Sequence, residues 1–445
     1  MTKTKETSSS NMYVRNRKIF QPVIGITMIL AWIMISTLAF TGLGNETALM
    51  ANSLLGLGIG YILQRSFFGF AGTVVRTSKG SPKLAYAVML LFGIGAIFVA
   101  IMVKGKFPTA GILHNRPISL GTVLGAAIFG MGMVLAKACA SGILTDMSKG
   151  TVFVVIVVVF FIIGAGPGQM IQDTMNNVHG KSGLGIKGIG LTKELGVAGA
   201  LVITLLVLIF VALGAHIIAK KVRENNNLNL DKIELYMDEK DDIFKEWLKA
   251  NSWEFVESPK LFSKAWFKVL YFHVFAKKWN LFLGAVILFL ALAGVMMING
   301  KGWGVTTSFA RMFHWIFQVD VFNGATSHGG VLKDSQGILD DPGTFRNAGL
   351  VVGAIAYMLM ANKFRFTRTF KGLNKVQIIT TILVAAVAGF MLGFGARVAD
   401  GCNAGQLATG VMTFSLSSWL FAVGMVLGGV GGIFAMKLIS KKTGI

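Results

Sequence analysis

The chain has 445 residues, 54% of them hydrophobic and only 14% charged, and its 42 Lys and Arg outnumber its 20 Asp and Glu. A soluble domain carries about 25% charged residues, so this composition excludes an ordinary globular protein, and two cysteines exclude a disulfide framework. The basic surplus lies in short segments between apolar stretches, which fits loops held against anionic lipid rather than nucleic-acid binding.

In chain order, a polar basic tail (residues 1–21) precedes ten apolar stretches: Pro22–Phe40, Ala48–Leu63, Leu84–Val103, Leu120–Ala136, Thr151–Ile171, Leu195–Ala219, Leu281–Ile298, Ala348–Ala361, Val376–Val398 and Ser415–Leu438. Most approach the length that crosses a bilayer. Backbone polar groups in lipid must be satisfied internally, so all are expected as helices. The first stretch is long for a signal-peptide core and shows no evident cleavage site, so it reads as a retained span. The expected fold is an all-α polytopic membrane protein of about ten spans with short broken or re-entrant helices.

Charge orients the spans. The N-terminal tail, the loop Asn362–Lys375 and the end of the chain (Lys437, Lys441, Lys442) are basic and belong in the cytoplasm. Threading ten spans from an inside N-terminus brings all three there. It leaves the acidic stretch Asp320–Asp341 outside, together with Lys104, Lys106 and Arg116, which break the rule. Residues 22–47 read as an extra first span, 48–172 as a first transmembrane repeat, and 173–219 as a loop and connecting span. A cytoplasmic linker (220–280), a second transmembrane repeat (281–438) and a cytoplasmic tail (439–445) complete the chain. Within the linker, Asp231–Ala250 and the aromatic, basic Lys260–Lys278 are expected as amphipathic helices at the headgroup level.

The repeats rest on one pattern. Gly130, Gly132, Cys139 and Gly142 share the spacing G-x-G-x6-C-x2-G with Gly393, Gly395, Cys402 and Gly405, and both cysteines of the chain fall in it. The first copy ends a span running inward and the second a span running outward, so the halves are expected as inverted repeats. Such repeats with Gly-broken helices characterise many transporters, whose broken ends face the substrate and whose helix N-termini suit an anion.

The residues Ala138-Cys139-Ala140-Ser141-Gly142 and Gly395 through Gly405 resemble the two cysteine motifs of the YeeE/YedE family of sulfur-compound transporters. Gly60 through Phe68, containing Gln64-Arg65-Ser66, and Trp303-Gly304-Val305-Thr306-Thr307 are similar to its two other short motifs. The resemblance implies an hourglass-like bundle and uptake of thiosulfate or a related sulfur anion past central cysteines. It departs at Gly69, which stands where members that carry thiosulfate have a further cysteine, and this bears on the substrate more than on the fold.

A thiol is a weak donor and a soft partner, suited to touching a sulfur atom without holding it; simple packing of small buried residues is the alternative reading for Cys139 and Cys402. Lys137 and Asp400 precede the two cysteines at equivalent places, and Arg397 lies one helical turn from Asp400. Ser141, Asn403 and Gln406 offer neutral hydrogen bonds, and with Gly142 and Gly405 they complete the candidate substrate path. Arg65 and Arg311 read as interfacial anchors. The histidines show no metal-ligand spacing and no nucleotide fingerprint is present, so neither metal nor cofactor is expected. The expected partners are a small sulfur-containing anion, the lipid bilayer and a cytoplasmic sulfur-carrier protein. A membrane thiol enzyme using both cysteines, or a non-transporting subunit, are the other readings.

Overall fold

A computed structural model describes residues 4–41, 47–105, 113, 116–176, 185–186, 188–226, 260–300, 302–319, 321, 338–364 and 372–443. The first half contains α1 (Thr4–Thr41), α2 (Thr47–Ser66), α3 (Phe70–Ser78), α4 (Lys83–Lys104), α5 (Leu120–Leu135), α6 (Ala140–Asp146) and α7 (Val152–Asn176). The long α8 (Leu191–Asn225) leads toward the linker, whose described end carries α9 (Lys264–Tyr271) and a π-helical turn, Phe272–Ala276. The expected helix Asp231–Ala250 lies outside the described residues. After these come α10 (Leu281–Asn299), α11 (Thr306–Phe317), α12 (Pro342–Met360), α13 (Lys375–Val398), a short helix over residues 403–412 and α14 (Leu416–Thr443).

Among the described residues, nine helices are long and apolar enough to cross a membrane. The tenth expected span corresponds to α12, which is 19 residues long but is not among them. It begins before its apolar run, on a turn that carries Pro342, Thr344, Arg346 and Asn347. Local chemistry sets several starts. Ser119 Oγ accepts the Thr122 amide at 3.0 Å ahead of α5. Asp341 caps α12 through the amides of Gly343 and Thr344, with Pro342 next in line.

Contacts sort the helix ends into two groups. At one end, Ile118–Ser119 pairs with Gly185–Ile186 in a two-residue antiparallel ladder, and Gly190 bridges to Ser415. At the other, Gln21 Nε2 donates to the Phe364 carbonyl at 3.0 Å, Arg223 Nη1 to that of Gly80 at 2.6 Å, and Tyr271 Oη to that of Met360 at 2.8 Å. We call these the strand end and the linker end.

Glycines let the bundle close. Across α2 and α12, a Cβ at Gly56 or Gly60 would strike the carbonyls of Arg346 and Leu350, and one at Gly349 or Gly353 those of Ser53 and Leu57. The α7–α13 and α5–α14 pairs interlock in the same way, the small-residue packing by which helices associate where lipid supplies no hydrophobic drive. Outward faces stay apolar: on α8, Leu206, Ile209, Phe210 and Leu213 are all exposed, which suits contact with lipid.

Candidate functional site

The site is built by two helix–break–helix segments with one local design. After α5, Lys137 adopts left-handed backbone at φ 58°, and the Ala138 amide donates back to the Met133 carbonyl at 3.2 Å. This is the six-to-one bond of a Schellman ending. Cys139 follows in extended conformation as the N-cap of α6, its Sγ accepting the Gly142 amide at 3.4 Å. Ser141 Oγ lies 3.4 Å from the same sulfur. After α13 the sequence of events repeats. Asp400 is left-handed at φ 61°, the Gly401 amide bonds the Ala396 carbonyl at 2.7 Å, and Cys402 is extended at the head of the π-helical turn Asn403–Thr409. The amides of Ala404 and Gly405 lie beside its sulfur without capping geometry. Both cysteines are buried free thiols.

Their helices cross antiparallel. Gly125 of α5 packs against Gly395 and Ala399 of α13, whereas Gly132, nearer Cys139, packs against Ala388 and Leu392. Cys139 and Cys402 therefore leave this crossing at opposite ends. The 403–412 segment touches α6, and Asn403 Nδ2 reaches Met133 Sδ at 3.3 Å. The glycine pairs contact reciprocally. Gly130 meets α14 and Gly132 meets α13, while Gly393 meets α7 and Gly395 meets α5.

The expected polar residues divide. Asn403 and Gln406 are buried, and Gln406 Nε2 donates to Ser417 Oγ at 2.9 Å. Arg397 is buried and donates to Thr307 Oγ1 at 3.0 Å, to Gln172 Oε1 at 2.6 Å and to Gln169 Oε1. Gln172 then donates to Asp400 Oδ1 at 2.6 Å, so this glutamine bridges the arginine and the aspartate. Lys137 matches Asp400 in backbone position, yet its side chain is exposed.

Other members of the site arrive from afar. Arg116 Nη1 donates to the Asp400 carbonyl and to Gln406 Oε1. Trp303 packs its backbone on the Cys402 segment, with its carbonyl facing Gly405 and its amide donating to Thr409 Oγ1 at 3.3 Å. Buried Arg346 donates to Asn52 Oδ1 at 2.6 Å and to the Gly304 carbonyl at 2.8 Å. Of these, only Trp303 and Gly304 carried a sequence signal, as part of a short motif; Arg116 showed itself only as a cation in the wrong loop.

The two arginines expected at the interface are buried instead. Arg65 is 3% exposed and donates to the carbonyls of His273, Val274 and Lys277 at 2.9, 2.5 and 2.8 Å. Its guanidinium stacks 4.2 Å from the Trp279 ring centre. It thereby satisfies the last carbonyls of the linker's terminal helix, which water would otherwise have to reach. Arg311 pairs with Asp341 at 3.0 Å. Among the described residues, no group of His, Cys, Asp or Glu is clustered to hold a metal ion.

Comparison with known proteins adds a lineage. A family model described as sulphur transport matches residues 65–431. The thiosulfate transporter TsuA of Spirochaeta thermophila is 24% identical over 386 residues, covering 84% of this chain and 95% of its own length. The probable transporter YedE of Escherichia coli is 31% identical over 138 residues, or 29% of this chain and 31% of YedE.

Proposed function

The chain belongs to the sulphur-transport family, and from that premise we propose that it carries a small sulfur-containing anion, thiosulfate or a relative, across the membrane past Cys139 and Cys402. One observation carries this reading: two buried free thiols, each at the head of a short helix, leave crossed helices from opposite ends. Such thiols are soft contacts at successive points of one path. Each is polarisable enough for a sulfur atom and too weak a donor to trap it. Ser141 and Asn403 add neutral hydrogen bonds, and Gln406 lies on the path with its amide engaged by Arg116 and Ser417, while Arg397 and Asp400, linked through Gln172, set the charge balance beside Cys402.

The reciprocal glycine contacts support a pseudo-two-fold relation between residues 48–172 and 281–438, of the inverted kind found in transporters. The basic N-terminal tail and the Asn362–Lys375 loop support a cytoplasmic linker end by the positive-inside rule. Transport is then uptake, toward a cytoplasmic sulfur-carrier protein. The test is accumulation of labelled thiosulfate in vesicles holding the purified protein. Uptake above empty vesicles that unlabelled thiosulfate suppresses is expected; no uptake of thiosulfate, sulfite or sulfate overturns the reading.

A further inference from the structure

We propose that Arg116 selects and admits the anion at the strand end of the path, exchanging its present neutral acceptors for the oxygens of the anion while Cys402 meets the sulfur. The inference rests on the transport reading above and adds a residue that no motif of the sequence contains.

Arg116 precedes α5, yet its guanidinium lies on the residues flanking Cys402. Nη1 donates to the backbone carbonyl of Asp400 and to Gln406 Oε1. Gln406 Nε2 donates to Ser417 Oγ at 2.9 Å, and Ser417 Oγ donates to the Pro117 carbonyl at 3.0 Å. The ring of bonds thus returns to the residue after Arg116. Both acceptors of the guanidinium are neutral. The nearby Asp400 carboxylate turns its Oδ1 to Gln172 instead.

One glycine makes room for this cation. A Cβ on Gly401 would run into Nη1 of Arg116, while one on Gly405 would come into ordinary contact with Nη2, so the guanidinium lies against the backbone that flanks Cys402. Among the described residues, a Cβ on Gly142, beside Cys139, would meet only Ala138 and Cys139. Access separates Arg116 from its peers. Arg346 and Arg397 are buried and Arg311 is already paired with a carboxylate, whereas Arg116 is half-buried at the end where an incoming solute first arrives.

The exchange favours an anion. An oxyanion adds the attraction of opposite charges to the hydrogen bonds that a neutral acceptor also accepts, and the planar guanidinium fork fits two oxygens of one oxyanion. Gln406 is then a competitor that holds the arginine in place until the anion displaces it.

Vesicle uptake of labelled thiosulfate by wild type, Arg116→Gln, Arg116→Lys and Gln406→Ala tests this. Arg116→Gln should raise the half-saturating concentration about tenfold, with a far smaller change in maximal rate, and Arg116→Lys should fall between it and wild type. Gln406→Ala should shift it the opposite way, downward. A wild-type half-saturation in Arg116→Gln, or equal losses of maximal rate in both arginine variants, overturns the proposal and leaves the transport reading standing. Should Arg116→Gln fail to reach the membrane, the opposite shifts of Arg116→Lys and Gln406→Ala decide; shifts of one sign, or none, overturn it. A wild type that carries no sulfur anion removes both readings together.

Discussion

Cys139 and Cys402 occupy the extended residue at the head of a helix, where an oxygen side chain normally accepts the following amides. Sulfur accepts weakly, so each thiol holds those amides less firmly than an oxygen would. Replacing either cysteine by alanine removes one sulfur atom, which should cost stability on the order of 1 kcal/mol. Uptake should fall about tenfold or more for each, the equivalent of one lost partner at a desolvated point, about 1.4 kcal/mol. Serine keeps the hydrogen bond without the polarisability, so it should recover only part of the rate. Wild-type uptake from both alanine variants at matched membrane levels would return the thiols to simple packing. Gly69 offers a companion test. It sits in extended backbone at φ −145° ahead of α3, and a Cβ there meets nothing within 4 Å. Gly69→Cys should therefore reach the membrane at wild-type levels and set a third thiol in the family motif. A marked loss of folded protein on size-exclusion chromatography would contradict the open space beside it.

Helices interlock through their glycines, and the cost of filling them is predictable. Gly393→Ala drives a Cβ into the Phe161 carbonyl of α7, and such overpacking costs about 1–3 kcal/mol. Gly58, on α2, has open space around it, so Gly58→Ala should be neutral or gain up to about 1 kcal/mol in helix propensity. Thermal unfolding in detergent checks the pair; equal midpoints would show that the crossings carry no strain. The helices themselves were legible because a span needs little more than apolar length, and the two helix breaks at the cysteines because the glycine–cysteine spacing repeats. Partners across the bundle were not legible. Nothing near Arg65 foretells the three carbonyls of the linker end, more than two hundred residues later, and nothing near Arg116 foretells Gln406. Arginine at the end of an apolar run reads as a lipid anchor, and only the fold reveals that a second segment has closed over it. The polar start of α12 hid for a similar reason: Arg346 and Asn347 point inward to Asn52, Gly304 and Val305, so their polarity belongs to the interior.

At the scale of the molecule, the linker end and the strand end should face opposite compartments. A green fluorescent protein fused after Ile445 should glow in cells, and alkaline phosphatase inserted after Lys106 should be active; the reversed pattern would invert the assignment. The widest helix contacts all join the first half of the chain to the second: α2 to α12, α5 to α14 and α7 to α13. This has a consequence for biogenesis. The first half leaves the ribosome before its partners in those pairs exist. At about 5–20 residues per second, α7 waits roughly 10–45 s for the end of α13 to be made. A pause in translation within residues 220–280 lengthens that wait, and the yield of folded protein in the membrane should fall with it.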